Sequence, residues 1–204
     1  MSSGPVAERI YLALKRRIFE GNYLPGERID PNALATELSA SVSPVRDVLH
    51  RLEGERLIET NVRAGFRTPL WTEPDLRDAY SWSADLLTLV IGSSKHESIL
   101  AQCADMDLAA GNVAEATAEL FGRISHASGN IEHRRAVASL NERLHNVRLA
   151  EAVAIPNSGE ELDTLFRVAQ NGTIPALRRA VMQYHRVRHR EVPMIMRTLH
   201  RHDR

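Results

Sequence analysis

Residues 30–52 read DPNALATELSASVSPVRDVLHRL, and this stretch decides the fold of the N-terminal part. Asp30-Pro31 pairs a capping carboxylate with a proline at the first helical position, where the missing N–H costs nothing. Leu34, Ala35 and Leu38 then form the apolar face of a short helix, and Ser39-Ala40-Ser41 breaks it. Ser43-Pro44 repeats the cap-plus-proline start, and Val45, Val48, Leu49 and Leu52 supply a second buried face at helical spacing. Two short helices parted by a few small residues have the spacing of a helix-turn-helix.

Upstream, Val6, Ile10, Leu12, Leu14 and Ile18 predict an amphipathic helix over 6–20, closed by Gly21-Asn22 and followed by a turn at Leu24-Pro25-Gly26. Downstream, Leu57-Ile58-Glu59-Thr60 and Phe66-Arg67-Thr68 flank Asn61 to Gly65, the pattern of two short strands around a turn, a small wing. From Thr72 the chain reads as helical over 72–91, 96–109, 112–127, 131–153, 159–171 and 174–190, six helices, with Pro193 expected to stop or bend the last. The expected fold is mainly α: a winged helix-turn-helix over residues 1–70, then an all-α bundle over 71–204.

Of the 204 residues, 43% are apolar and 25% charged, enough for a core and against general disorder. No run of about 18 apolar residues occurs, so no membrane span is expected. The first ten residues lack a basic-then-apolar signal, which points to the cytoplasm. A single cysteine, Cys103, excludes a disulfide framework and a cysteine zinc site; it reads as a buried small apolar residue. Basic and acidic residues balance at 26 each, and the basic set is 24 Arg and 2 Lys. The balance hides a division: +1 over residues 1–71, −7 over 72–177 and +6 over 178–204. A head of only +1 excludes DNA affinity built on bulk positive charge and places the weight on a few groups.

In a helix-turn-helix the first turn of the second helix meets base edges in the major groove. Here that turn is Ser41-Val42-Ser43-Pro44-Val45-Arg46. Ser41 and Ser43 can donate to phosphates or bases, and Arg46 can offer a bidentate pair to guanine. Arg63 and Gly65 fall at the wing tip, where glycine permits close approach and arginine can enter the minor groove. The expected partner is double-stranded operator DNA.

The stretch YLALKRRIFEGNYLPGERIDPNALATELSASVSPVRDVLHRLEGERLIE resembles the winged helix of GntR-type bacterial transcription regulators, through Pro25-Gly26-Glu27-Arg28, Ser41 and Pro44-Val45-Arg46, and the resemblance continues past it to Gly65. The resemblance adds Arg28 to the DNA-facing set. Val42 departs from it, standing where the family usually has arginine; this removes one expected contact or substitutes contact with a thymine methyl. ELFGRISHASGNIEHRRAVASLNERLHNVRLAE is similar to the FCD effector domain of one subfamily, and six helices suggest its shorter variant. That resemblance implies a homodimer, a small carboxylate-type effector, and in many members a divalent metal held by one Asp and three His. The ligand positions fall near Thr117, Phe121 and Asp163, with only His185 matching, so the metal site is largely missing and a divalent metal stays an option only. An arginine common in the family falls near Ser83.

His185 and His189 are four apart and can share a metal across one turn. His133 lies on the inward stripe of Val137, Leu140 and Leu144. Asp163, His185 and His133 are therefore the candidate effector residues, while Tyr80, Trp82, Phe121, Phe166 and Tyr184 read as core. No Ser-His-Asp order, phosphate-cradling loop or HExxH motif occurs, so an enzyme is not expected. The functional expectation is a dimeric DNA-binding regulator under effector control; the alternatives are a regulator with a ligand-independent bundle or, with far less support, a helical-bundle enzyme.

Overall fold

The computed structural model describes residues 4–61, 65–108 and 111–201. They belong to two compact units, one through Trp71 and one from Thr72 to Arg201.

The first unit opens with α1 (Gly4–Phe19), whose Ile10, Leu14 and Ile18 recur every fourth residue and are buried on one face. Gly21, at φ +72°, closes it: Gly21 N–H bonds the Ile18 carbonyl at 3.2 Å and Asn22 N–H the Arg17 carbonyl at 3.0 Å. Strand β1 (Arg28–Ile29) leads into α2 (Pro31–Glu37), capped by the Asp30 carboxylate accepting from Asn32 N–H at 2.9 Å. Helix α3 (Val42–Gly54) follows, with Val45, Val48, Leu49 and Leu52 buried. Strands β2 (Glu59–Asn61) and β3 (Gly65–Arg67) complete an antiparallel sheet of order β1-β3-β2, pairing Ile29 with Phe66 and Thr60 with Phe66.

Three local expectations are corrected here. Helix α3 is capped at Ser41, not Ser43, and Pro44 occupies its third position, where an N–H would still lack an intrahelical partner. Leu57 and Ile58 precede the strand and anchor it in the core, so β2 begins only at Glu59. The sheet has a third strand, β1, too short for any periodicity to announce it.

In the second unit, α4 (Glu73–Ser93) starts with a capping box between Thr72 and Asp75. Helix α5 (His96–Cys103) is shorter than expected, and α6 (Val113–Ala127) carries a second capping box between Asn112 and Glu115. The stretch expected as one helix over 131–153 is two, α7 (Ile131–Arg143) and α8 (His145–Ala154), joined at Leu144. Leu144 leaves the helical region at ψ 2° yet stays buried, so the apolar stripe runs unbroken through the joint and no Gly or Pro marks it. Helices α9 (Ser158–Asn171) and α10 (Ile174–Leu199) bring the described bundle to seven helices instead of six. No helix among the described residues is long and apolar enough to cross a membrane.

Pro193 does not stop α10, which continues to Leu199. Proline at 193 removes the N–H that would bond the His189 carbonyl. That carbonyl instead accepts from Arg77 Nη1 of α4 at 2.6 Å. Arg77→Ala is expected to cost about 1.5–3 kcal/mol, the range for a charged hydrogen bond. The cost should shrink in a Pro193→Ala background, where residue 193 regains its N–H; a double-mutant cycle in urea measures the coupling.

Candidate nucleic-acid interface and bundle interior

The start of α3 is open. Ser41 caps it without a side-chain hydrogen bond, and its first turn holds no acidic residue. Its free N–H groups and positive dipole end therefore suit an anion. Ser41, Ser43 and Arg46 are exposed there, while Val45, Val48 and Leu49 fix the helix from below. Val42 is half-buried and packs against the head core, so part of its side chain serves the fold.

The arginines of the head divide into two sets. Arg16 pairs with Glu20, Arg17 with Glu37, Arg51 with Glu8 and Glu55, and Arg67 with Glu59. Arg9 bonds the Leu38 carbonyl. Arg28, Arg46 and Arg56 are exposed and form no ion pair with another described residue. Half of the described head arginines are thus neutralised by carboxylates of the head, and a few cations stay available, Arg46 at the mouth of α3 and Arg28 on β1 among them. Arg56, at φ +60° just past α3, gave no sequence signal beyond being an arginine. Gly65 takes φ +72° at the start of β3, a conformation that favours glycine. Arg63 lies outside the described residues.

The bundle interior is polar in one place. Tyr80 donates to Glu151 Oε1 at 2.6 Å, and Tyr184 donates to Oε2 at 3.4 Å. Arg188 Nε donates to Oε2 at 3.1 Å, and Arg188 Nη1 reaches Glu161 and the Tyr184 carbonyl. The Arg188 guanidinium also stacks 3.4 Å from the Tyr184 ring centre. Burial alone would lower the Arg188 pKa; Tyr184, Glu151 and Glu161 offset this and hold it above its ordinary value. Burial, with the Glu151 charge beside it, keeps Tyr80 well above the usual phenol range, so it remains a donor. Sequence reasoning missed Glu151 and Arg188, because a carboxylate and an arginine 37 residues apart carry no local pattern. Arg148 is also buried; its Nη2 bonds Asn141 at 2.9 Å, while its Nη1 has no partner.

His185 sits beside this network. Its Nδ1 faces the Val181 carbonyl at 2.8 Å and its Nε2 the Ser83 hydroxyl at 2.8 Å. A carbonyl only accepts, so Nδ1 carries the hydrogen and Nε2 accepts from Ser83. Its ring stacks on Phe121 at 6.0 Å. His189 bonds a different serine, Ser81, at 3.0 Å; the Ser81 hydroxyl donates to the Arg77 backbone carbonyl, so His189 Nε2 is the donor. The two histidines therefore do not converge on one ion. Asp163 lies elsewhere, in an open cleft of about 520 Å³ with Met106, Leu108, Phe166 and Arg167. His133 is half-buried on α7 with Nδ1 unbonded. Asp163, His185 and His133 thus do not form one constellation. Thr117 and Phe121 occupy two of the resemblance's ligand positions, both nitrogens of His185 are engaged, and no group of three His, Cys, Asp or Glu fit to hold a metal occurs among the described residues. The residues do not fit the implied metal.

Trp82, expected in the core, is 50% exposed on α4, whereas Tyr80, Phe121 and Tyr184 are buried and Phe166 partly so. Burial pushes the Cys103 thiol up to about 11, leaving it a small apolar filler.

Burial also pushes His185 down to about 3 from an ordinary 6.5. Between these values the unfolded chain binds a proton that the folded bundle refuses. Stability from this group is full above pH 6.5 and falls as pH drops toward 3, by about 1.4 kcal/mol per unit. Denaturant titrations of wild type minus His185→Gln across this window should show that slope.

An open-ended recognition helix, an adjoining three-stranded wing and a separate all-α bundle define a winged-helix DNA-binding head joined to a helical domain. Residues 6–67, which make up the head, match the family of bacterial regulatory proteins, gntR family. The chain is 33% identical over 87 residues to the uncharacterized HTH-type transcriptional regulator YdhC of Bacillus subtilis, covering 43% of this chain and 39% of that protein. It is 28% identical over 138 residues to the Nta operon transcriptional regulator of Aminobacter aminovorans, covering 62% of this chain and 66% of that one. The match to YdhC thus spans about two fifths of that relative's length. Among solved structures, E. coli McbR/YncC superposes with TM-score 0.64 at 17% identity, over 95% of this chain and 98% of that one. A chain described as a GntR transcriptional regulator from Rhodococcus sp. RHA1 superposes with TM-score 0.72 at 12% identity, over 93% and 98%. Head and bundle together share the fold of these two solved chains.

Proposed function

We propose that the protein is a sequence-specific DNA-binding transcription regulator that acts as a homodimer. The observation that carries this is the open first turn of α3, with Ser41, Ser43 and Arg46 exposed on a rigid apolar base. Arg46 reads a guanine edge, the serines and helix N–H groups hold phosphates, and Arg28 and the wing around Gly65 fix the register.

One winged helix buries little surface, and a dimer doubles it on paired half-sites. The bundle offers a face for this. Trp82 and Leu89 are exposed seven residues apart on α4, and Met182 of α10 is exposed beside Thr88 of α4. Asp78 and Asp85 are exposed on α4, and Arg178 and Arg186 are exposed on α10, which packs against it, so the two helices present opposite charges that can complement themselves across a two-fold axis. Selection from a random duplex pool should return an inverted repeat with half-sites about 10 base pairs apart. A single half-site, with a monomer in sedimentation, would contradict the dimer.

For ligand control, the cleft at Asp163 is the candidate opening for a small effector. An effector acts only through different affinity for the DNA-competent and incompetent arrangements. The second reading, a ligand-independent bundle, is favoured by one observation: His185, Arg188 and Tyr80 are already bonded to groups of the same chain. Thermal shifts with metals and small carboxylates, with and without chelator, separate the two.

A further inference from the structure

Four helices meet at one buried carboxylate. Tyr80 of α4, Tyr184 and Arg188 of α10 and, through Arg188, Glu161 of α9 surround Glu151 of α8, which is 2% exposed. Two hydroxyl donors and one guanidinium N–H on a carboxylate are the equipment of a ligand site for a small organic acid. We infer that this cradle is a carboxylate-binding site that the protein fills from within, Glu151 standing as the built-in ligand. The bundle then has no use for an exogenous carboxylate at its centre, and a free acid enters only where Glu151 is withdrawn. The inference does not depend on the DNA-binding reading, because its test reads the bundle's stability alone.

Glu151→Ala removes a fragment the size of acetate and leaves Tyr80, Tyr184 and Arg188 facing the space. Glu161 still pairs with Arg188, so that charge is not wholly orphaned. The melting temperature of the full chain is measured in sodium acetate against sodium chloride at equal ionic strength. Glu151→Ala should melt lower than wild type in chloride and rise in acetate, by about 4 °C at tenfold saturation. Adding Tyr80→Phe, which deletes the shortest donor, should shrink the acetate gain. Wild type should melt alike in both salts. If the variant aggregates on purification, refolding from urea is scored instead, and the soluble yield should be higher in acetate. An equal melting temperature or equal yield in the two salts would overturn the proposal, and so would an acetate rise in wild type.

Discussion

Arg188→Ala should lower the stability of the bundle by about 3–5 kcal/mol, the range for removing one partner of a buried ion pair. Arg188 is 1% exposed and binds Glu151, Glu161 and the Tyr184 carbonyl at once. Alanine leaves Glu151 with a buried charge and only two hydroxyl donors, and it forfeits the stacking on Tyr184. The penalty is the orphaned carboxylate more than the lost attraction, since buried pairs gain little net energy over an apolar substitute. Arg188→Met combined with Glu151→Leu should therefore recover much of the loss. Urea unfolding followed by circular dichroism measures both. A double variant no more stable than Arg188→Ala would show instead that packing around the guanidinium dominates.

Arg46→Ala should weaken binding to the operator by roughly ten- to hundredfold while leaving nonspecific binding nearly unchanged, the signature of a bidentate base contact. The fold should not suffer, because Arg46 is exposed and pairs with no other described residue. Arg28→Ala should behave differently if it meets a phosphate: a smaller loss, similar on every sequence, with the salt dependence reduced by about one counterion. Fluorescence anisotropy on operator and scrambled duplexes separates the two patterns. Equal loss on both duplexes for Arg46→Ala would assign Arg46 to the backbone and leave sequence reading to other groups.

The head was largely legible because its signals are local. Asp30-Pro31, the spacing of Val45, Val48, Leu49 and Leu52, and the glycine at 65 each act within a few residues. What stayed hidden there depends on distant partners: β1 is two residues long and exists only because β3 pairs with it. In the bundle, the joint at Leu144 left no mark because a buried leucine continues the apolar stripe across it. That α10 does not stop at Pro193 was hidden for a similar reason, since Arg77, which takes up the carbonyl the proline leaves free, lies 112 residues away. His185 drew attention because it matches a ligand position of the resemblance and lies four residues from His189, but both its nitrogens are bonded within the chain, and the buried charged centre is Glu151 with Arg188, set by tertiary contact. The balance of 26 against 26 charges likewise concealed that Arg16, Arg17, Arg51 and Arg67 are paired within the head, leaving Arg46 available.

The central claim is that the head reads sequence through the first turn of α3. Its most direct test is the ratio of dissociation constants for a selected operator and a scrambled duplex of equal length, measured at physiological salt. A ratio of about a thousand or more is predicted, as for specific DNA-binding proteins. A ratio within about tenfold at that salt, where nonspecific binding alone remains, would contradict it.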